Sequence, residues 1–123
     1  MNINDWYLFQ GVGNVIGLQR IVGPKLLGLT TDLAAIETAM PRARTVFAEL
    51  ARLLGEQSYF AGEAVSLADL LAAPQIEFMQ PTPEWSELGL PHANLVAWLQ
   101  RMQARPSFAA TTWARVAEMA KAA

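Results

Sequence analysis

Residues 65–70 read Val-Ser-Leu-Ala-Asp-Leu, and this short run restricts the fold more than any other stretch of the chain. Ser66 can cap a helix, and Asp69, three residues later, can reach back to the Ser66 amide, a variant of the capping box. Val65 before the cap and Leu70 at the fourth helical position form the matching hydrophobic staple. Such a start satisfies amides that a helix otherwise leaves without acceptors, and losing the cap typically costs about 1 kcal/mol. The expected product is a central helix over residues 66–79, bent near its middle by Pro74.

The rest of the chain also has helical spacing. From Asp32 to Leu54, apolar residues recur at Leu33, Ile36, Met40, Phe47, Leu50 and Leu54. Thr30-Thr31-Asp32 is a start signal and Gly55 a C-cap, while Pro41 should kink this helix or split it in two. Pro81, Pro83 and Gly89 mark a loop over roughly residues 80–91. Leu95, Trp98, Leu99 and Met102 form an i, i+3, i+4, i+7 stripe that Pro106 should stop. A last helical segment, from Ser107 to about Lys121, carries Phe108, Trp113, Val116 and Met119. No alternating run bounded by turns reads as a strand. The expectation is an all-α helical bundle of about five helices, one domain over residues 1–123.

The first segment, from about Asn2 to Val22 and ended by Gly23-Pro24, is unusual. It carries no charge between Asp5 and Arg20. A helix apolar around most of its girdle needs cover on more than one side. Gly11, Gly13 and Gly17 each cost about 1 kcal/mol against alanine in a helix interior, which predicts a close approach by another group, or a bend. Composition points the same way. The 123 residues are 53% hydrophobic and 16% charged, against about 45–50% and about 25% in ordinary domains. A small domain with so little charge either leans on other protein or borders an apolar cavity.

Several function classes recede. With 9 basic and 11 acidic residues, Arg42, Arg44 and Arg52 alternating with Glu37, Glu49 and Glu56, a solvated helix face is expected and a nucleic-acid partner is not. No stretch reaches the ~20 apolar residues of a membrane span, and no signal peptide is seen, so the cytoplasm is the expected location. The absence of cysteine removes disulfides and thiolate chemistry. His92, the one histidine, has no carboxylate at ligand spacing and reads as a surface or capping residue, so no metal site is expected. Gly11-Val12-Gly13 with Gly17 misses the dinucleotide fingerprint and follows no strand. Capping accounts for Asp69, and Glu77 has no obvious partner; no catalytic residue is expected. Trp6, Tyr7, Phe9 and Trp113 are candidates for an apolar small-molecule pocket, with core or interface packing as the alternative. Tyr7 is preferred for its hydroxyl, and Gln10, about one turn on, shares its face.

Tyr59 to Asp69, reading Tyr-Phe-Ala-Gly-Glu-Ala-Val-Ser-Leu-Ala-Asp, resembles the C-terminal domain of the glutathione transferases. In that family an aromatic or leucine, a small residue, a glycine and an acid precede the capping box; here these are Phe60, Ala61, Gly62 and Glu63. Trp98-Leu99-Gln100-Arg101-Met102 and Arg105-Pro106-Ser107 resemble the family's Trp-Leu helix and its Arg-Pro end. The specific likeness covers about residues 47–108.

The resemblance implies a domain fragment whose first helix Asn2 or Asp5 can cap. It also implies a thioredoxin-like N-terminal domain elsewhere that binds glutathione, the co-substrate, and supplies the thiolate-stabilising residue. This half would hold the hydrophobic electrophile and contact a partner in a homodimer, in the service of detoxification, and be catalytically incomplete alone. By this resemblance Trp6, Tyr7, Gln10, Asn14 and Trp113 are substrate-side residues, while Ser66 and Asp69 are structural. Two other readings stand beside it. One is a non-catalytic interaction module, like the similar domains of the translation elongation factor gamma subunit and some aminoacyl-tRNA synthetases. The other is a ligand-binding helical protein with no glutathione link.

Overall fold

In a computed structural model, residues 3–122 are described and form seven helices with no strand among them; Asn2 lies outside the described residues. An N-terminal helix, Ile3–Leu27, is followed by α1 (Leu33–Leu54), α2 (Leu67–Met79), α3 (Trp85–Leu88), α4 (Ala93–Gln103), α5 (Pro106–Ala110) and α6 (Trp113–Ala122). The all-α expectation holds. The two additional helices are short: α3 lies inside the 80–91 loop, and Thr111-Thr112 divides the last segment into α5 and α6.

The N-terminal helix is wound in the wide, π form, in which amides bond five residues back. Asn4, Leu8, Val12 and Ile16, every fourth residue, are buried against α1 and α2. The segment does not stop at Gly23-Pro24 as expected but runs on to Leu27. Proline has no N–H to give, so in this winding the carbonyl of Gln19 loses its donor. Thr31 supplies a substitute, its hydroxyl donating to Gln19 O at 3.0 Å, while the Gln19 side chain accepts the Asp32 amide at 2.8 Å. The helix turns back after Leu27, where the Leu29 amide reaches Gly23 O at 2.9 Å.

Asp32 caps α1 through the Ala35 amide, and Gly55 closes it. Pro41 does not split α1, which is continuous over 22 residues. Pro41 and Glu37 are both exposed, so water can serve the carbonyl that proline frees. Pro74 likewise leaves α2 uninterrupted.

The core is one cluster in which Ile36, Ala43, Phe47, Leu50 and Leu54 of α1 meet Ala73, Ile76 and Met79 of α2 and Leu95, Trp98, Leu99 and Met102 of α4. Two cross-links tie α4 to the turn after α1. Asn94 donates to the carbonyls of Ala51 (2.9 Å) and Gly55 (3.0 Å), serving the orphan end of α1, and Arg101 donates to Ser58 O (2.9 Å). A third link is the pair of Arg20 with the buried Glu84, 2.6 Å apart and bonded through two guanidinium nitrogens. Tyr59 and Gly62 exchange backbone bonds in a tight turn, with Gly62 at φ +130°, a conformation that side chains with a Cβ rarely adopt. No helix among the described residues is long and apolar enough to cross a membrane.

At the start of α2, the fully buried Asp69 takes four hydrogen bonds. Oδ2 accepts from the Ser66 amide and hydroxyl, both at 2.8 Å, and Oδ1 from the Phe60 amide at 2.9 Å and the Trp98 indole at 2.8 Å. Val65 packs against the core, but Leu70 remains half exposed. Burial pushes the Asp69 carboxyl upward, and the four donors outweigh it, holding the group below its ordinary 3.8.

These contacts set two expected outcomes. Asp69→Ala leaves four donors, at the α2 cap, in the turn after α1 and on α4, without an acceptor and should cost about 3–5 kcal/mol in urea denaturation, well above a single lost cap. Because the folded value is depressed, the stabilisation is complete above the unfolded value and is lost as pH falls through the folded one. The midpoint of the native chain should therefore drop on acidification below about pH 4. Asp69→Asn should start lower and show a shallower acid slope.

Candidate functional site

The N-terminal helix offers a different environment on each of two sides. On one, Phe9, Gly13, Asn14, Leu18 and Val22 face Pro74, Gln75 and Phe78 of α2 and Trp113 of α6 across a cleft of about 290 Å³. No charged residue lines it. The Phe78 and Trp113 rings lie 5.3 Å apart, tilted by 38°, and hold the start of α6 against α2. Helix α6 has no buried residue, so this aromatic contact is a main tether, and Trp113 remains 61% exposed.

Gly17 explains how Phe78 reaches its position. A Cβ on Gly17 would lie 2.5 Å from Phe78 Cε1, so the bare backbone makes room for the ring. This is the close approach expected of the glycine-rich segment. Gln75 is oriented from the same region: its Nε2 donates to Asn4 Oδ1 at 3.1 Å, while its buried Oε1 has no protein partner.

The five substrate-side candidates do not converge on one cavity. Asn14 and Trp113 line the apolar cleft, with Phe9. Trp6, Tyr7 and Gln10 lie on the other side, lining a groove with Arg42 of α1. Trp6, Tyr7 and Phe9 are each more than half exposed, so core packing does not account for them. The sequence reading missed Leu18, Val22, Pro74, Gln75 and Phe78. Pro74 and Phe78 are four residues apart on one helix face, a spacing that was legible, but nothing in the sequence said which side of α2 would stay open.

Beyond Trp113, Pro74 and Glu77 share a second cleft of about 270 Å³ with Phe108, Thr111 and Val116. Burial raises the Glu77 carboxyl, and the nearby Gln103 side chain opposes the shift; the Gln103 amide itself donates to Gln80 Oε1 at 2.7 Å. His92 occupies the N-cap of α4 without a side-chain cap bond. Among the described residues no group of His, Cys, Asp and Glu can hold a metal ion.

Residues 16–106 match the family described as glutathione S-transferase, C-terminal domain. Over 105 residues the chain is 30% identical to glutathione S-transferase F14 of Arabidopsis thaliana, covering 84% of this chain and 41% of that protein. It is 29% identical over 87 residues to the probable glutathione S-transferase GSTF1 of Oryza sativa subsp. japonica, covering 71% and 39%. The chain thus spans less than half the length of these curated relatives. Among solved structures, glutathione S-transferase III in its apo form superposes with a TM-score of 0.77 at 24% identity, over 88% of this chain and 49% of that one. Glutathione transferase F7 from Populus trichocarpa gives 0.76 at 24% identity, over the same shares. These two show a shared fold.

The Gly17–Phe78 contact has a measurable consequence. In Gly17→Ala the added methyl must displace the ring that holds Trp113, and overpacking of this kind costs about 1–3 kcal/mol, against a gain of about 1 kcal/mol in helix propensity. Thermal melts should show Gly17→Ala destabilised in the native background and stabilised in a Phe78→Ala background.

Proposed function

Because the chain belongs to the glutathione S-transferase family, through its C-terminal domain, we propose that it is the hydrophobic-substrate half of a cytoplasmic glutathione transferase. Glutathione and its thiolate-stabilising residue then belong to a thioredoxin-like N-terminal domain, and the whole enzyme works as a homodimer in detoxification. The observation that carries this reading is the uncharged cleft between the N-terminal helix, α2 and α6, walled by Phe9, Phe78 and Trp113. Such a cleft takes up an apolar electrophile by shedding water from both surfaces. Asn14 at its rim supplies an amide that can orient a polar substituent. The cleft is lined by no titratable side chain, and in this reading the thiolate is made in the other domain. Of the substrate-side residues, Asn14 and Trp113 are assigned to this cleft, while Trp6, Tyr7 and Gln10 face the α1 side.

A second reading, a non-catalytic interaction module, draws on the connector between the N-terminal helix and α1. Leu26, Leu27, Leu29 and Leu33 are all exposed there, an apolar strip suited to another protein surface.

Titration of the 123-residue chain separates the two. A neutral aromatic electrophile such as 1-chloro-2,4-dinitrobenzene should bind saturably and quench tryptophan emission, with Trp113→Ala weakening it about fivefold for the loss of one aromatic wall. The chain alone should show no conjugation when glutathione is added. Turnover by the chain alone would overturn the assignment of half an enzyme, and an electrophile that does not bind at all would favour the interaction module.

A further inference from the structure

The two clefts that meet at Trp113 and Pro74 differ in charge. The first, about 290 Å³, is walled by Phe9 and Phe78 and is uncharged. The second, about 270 Å³, is closed by Glu77 of α2, Phe108 of α5, Thr111 and Val116. Among the described residues, Glu77 is the only charged side chain lining either. Glu77 and Phe78 are neighbours in sequence, so about 100° of helix separates them. Helix α2 therefore turns a ring into the first cleft and a carboxylate into the second.

No basic side chain among the described residues neutralises that carboxylate. The ion pairs join Arg20 to Glu84, Arg44 to Glu87 and Arg52 to Glu49, and Glu77 takes part in none. The amide of its neighbour Gln103 is engaged by Gln80 Oε1 at 2.7 Å. Thr111 donates its hydroxyl proton to Ser107 O at 2.8 Å, so toward the cleft its oxygen can only accept. The carboxylate and the hydroxyl are thus both acceptors, set in an otherwise apolar wall. Burial disfavours the ionised carboxyl, and a cation beside it restores the charged form. The Trp113 indole, 61% exposed, and the Phe108 ring add faces that attract a positive charge.

We propose that this second cleft is a site for a small aryl-alkyl ammonium ion, its charged nitrogen on Glu77 and its ring against Trp113, Phe108 and Val116. A further N–H of the ammonium group goes to Thr111 Oγ1. An anion would meet an unpaired carboxylate here, and a neutral aromatic finds equal apolar wall in the uncharged cleft. Charge therefore sorts ligands between the two sides of Trp113. The site does not depend on whether the first cleft serves glutathione chemistry.

The probe is protonated 1-naphthylmethylamine, titrated into the full chain by calorimetry beside its uncharged counterpart 1-naphthylmethanol. The native chain should hold the amine about tenfold more tightly than the alcohol. Glu77→Gln keeps the shape of the side chain and should abolish that preference, weakening the amine about tenfold and leaving the alcohol unchanged. Because burial disfavours the charge it removes, Glu77→Gln should melt at or above the native midpoint, and alcohol binding is a second check on folding. Glu118→Gln removes an exposed carboxylate of α6 that does not line the cleft and should leave amine binding unchanged. Phe9→Ala, which alters the first cleft alone, should also leave it unchanged. A native chain that does not prefer the amine, or a preference that persists in Glu77→Gln, overturns the proposal. So does loss of the amine in Phe9→Ala, which would place it in the first cleft. An equal loss in Glu118→Gln also overturns it, reducing the effect to general attraction by surface carboxylates.

Discussion

The structure depends on what Asp69 holds together. One buried carboxylate collects the N-terminal cap of α2, the amide of Phe60 in the turn after α1, and the indole of Trp98 from the middle of α4. An ionised group buried without partners would cost several kcal/mol. Here four donors converge on it, and those donors would themselves be stranded without it. The penalty and the remedy come from different parts of the chain, so the three elements are stable only together. Phe60 and Trp98 also meet edge to face, 5.0 Å between ring centres, so apolar packing and the charge select the same arrangement.

Around that fixed centre, the N-terminal helix acts as a partition. Its stripe of Leu8, Val12 and Ile16 is committed to the core, and the flanking residues on either side remain open. Toward α2 the walls are aromatic and uncharged; toward α1 they include a guanidinium. Small residues make both environments possible. Gly17 admits the Phe78 ring, which a methyl there would displace, so its helix cost is offset by the neighbour it lets in, and Gly11 lets the Arg42 stem lie close. The scarcity of charge in the sequence is thereby explained in part: Trp6, Tyr7, Phe9 and Trp113 are not core residues but exposed surface.

Where sequence reasoning went astray, the cause was long-range compensation. Gly23-Pro24 ought to end a helix, and it does not because Thr31 gives its hydroxyl to the carbonyl left without a donor. Pro41 ought to break α1, and it lies on the solvent face. The Glu84 partner of Arg20 and the Glu87 partner of Arg44 come from elements distant in sequence, and no local pattern announces them. The five candidate site residues are all exposed, but periodicity along one helix cannot say that Trp6, Tyr7 and Gln10 look one way while Asn14 looks another.

The sequence by itself determined what is local: that the chain is helical, that Ser66 opens the central helix, that Asp32 and Gly55 bound α1, and that Leu95, Trp98, Leu99 and Met102 face a core. Each follows from a capping side chain or from helical spacing, effects that act within a turn or two of the backbone. Tertiary structure alone decided which side of each helix stays uncovered, and therefore that separate depressions of different chemistry flank the N-terminal helix. Exposure is a property of what the rest of the chain covers, and the covering residues are brought from tens of positions away by the burial of a common core.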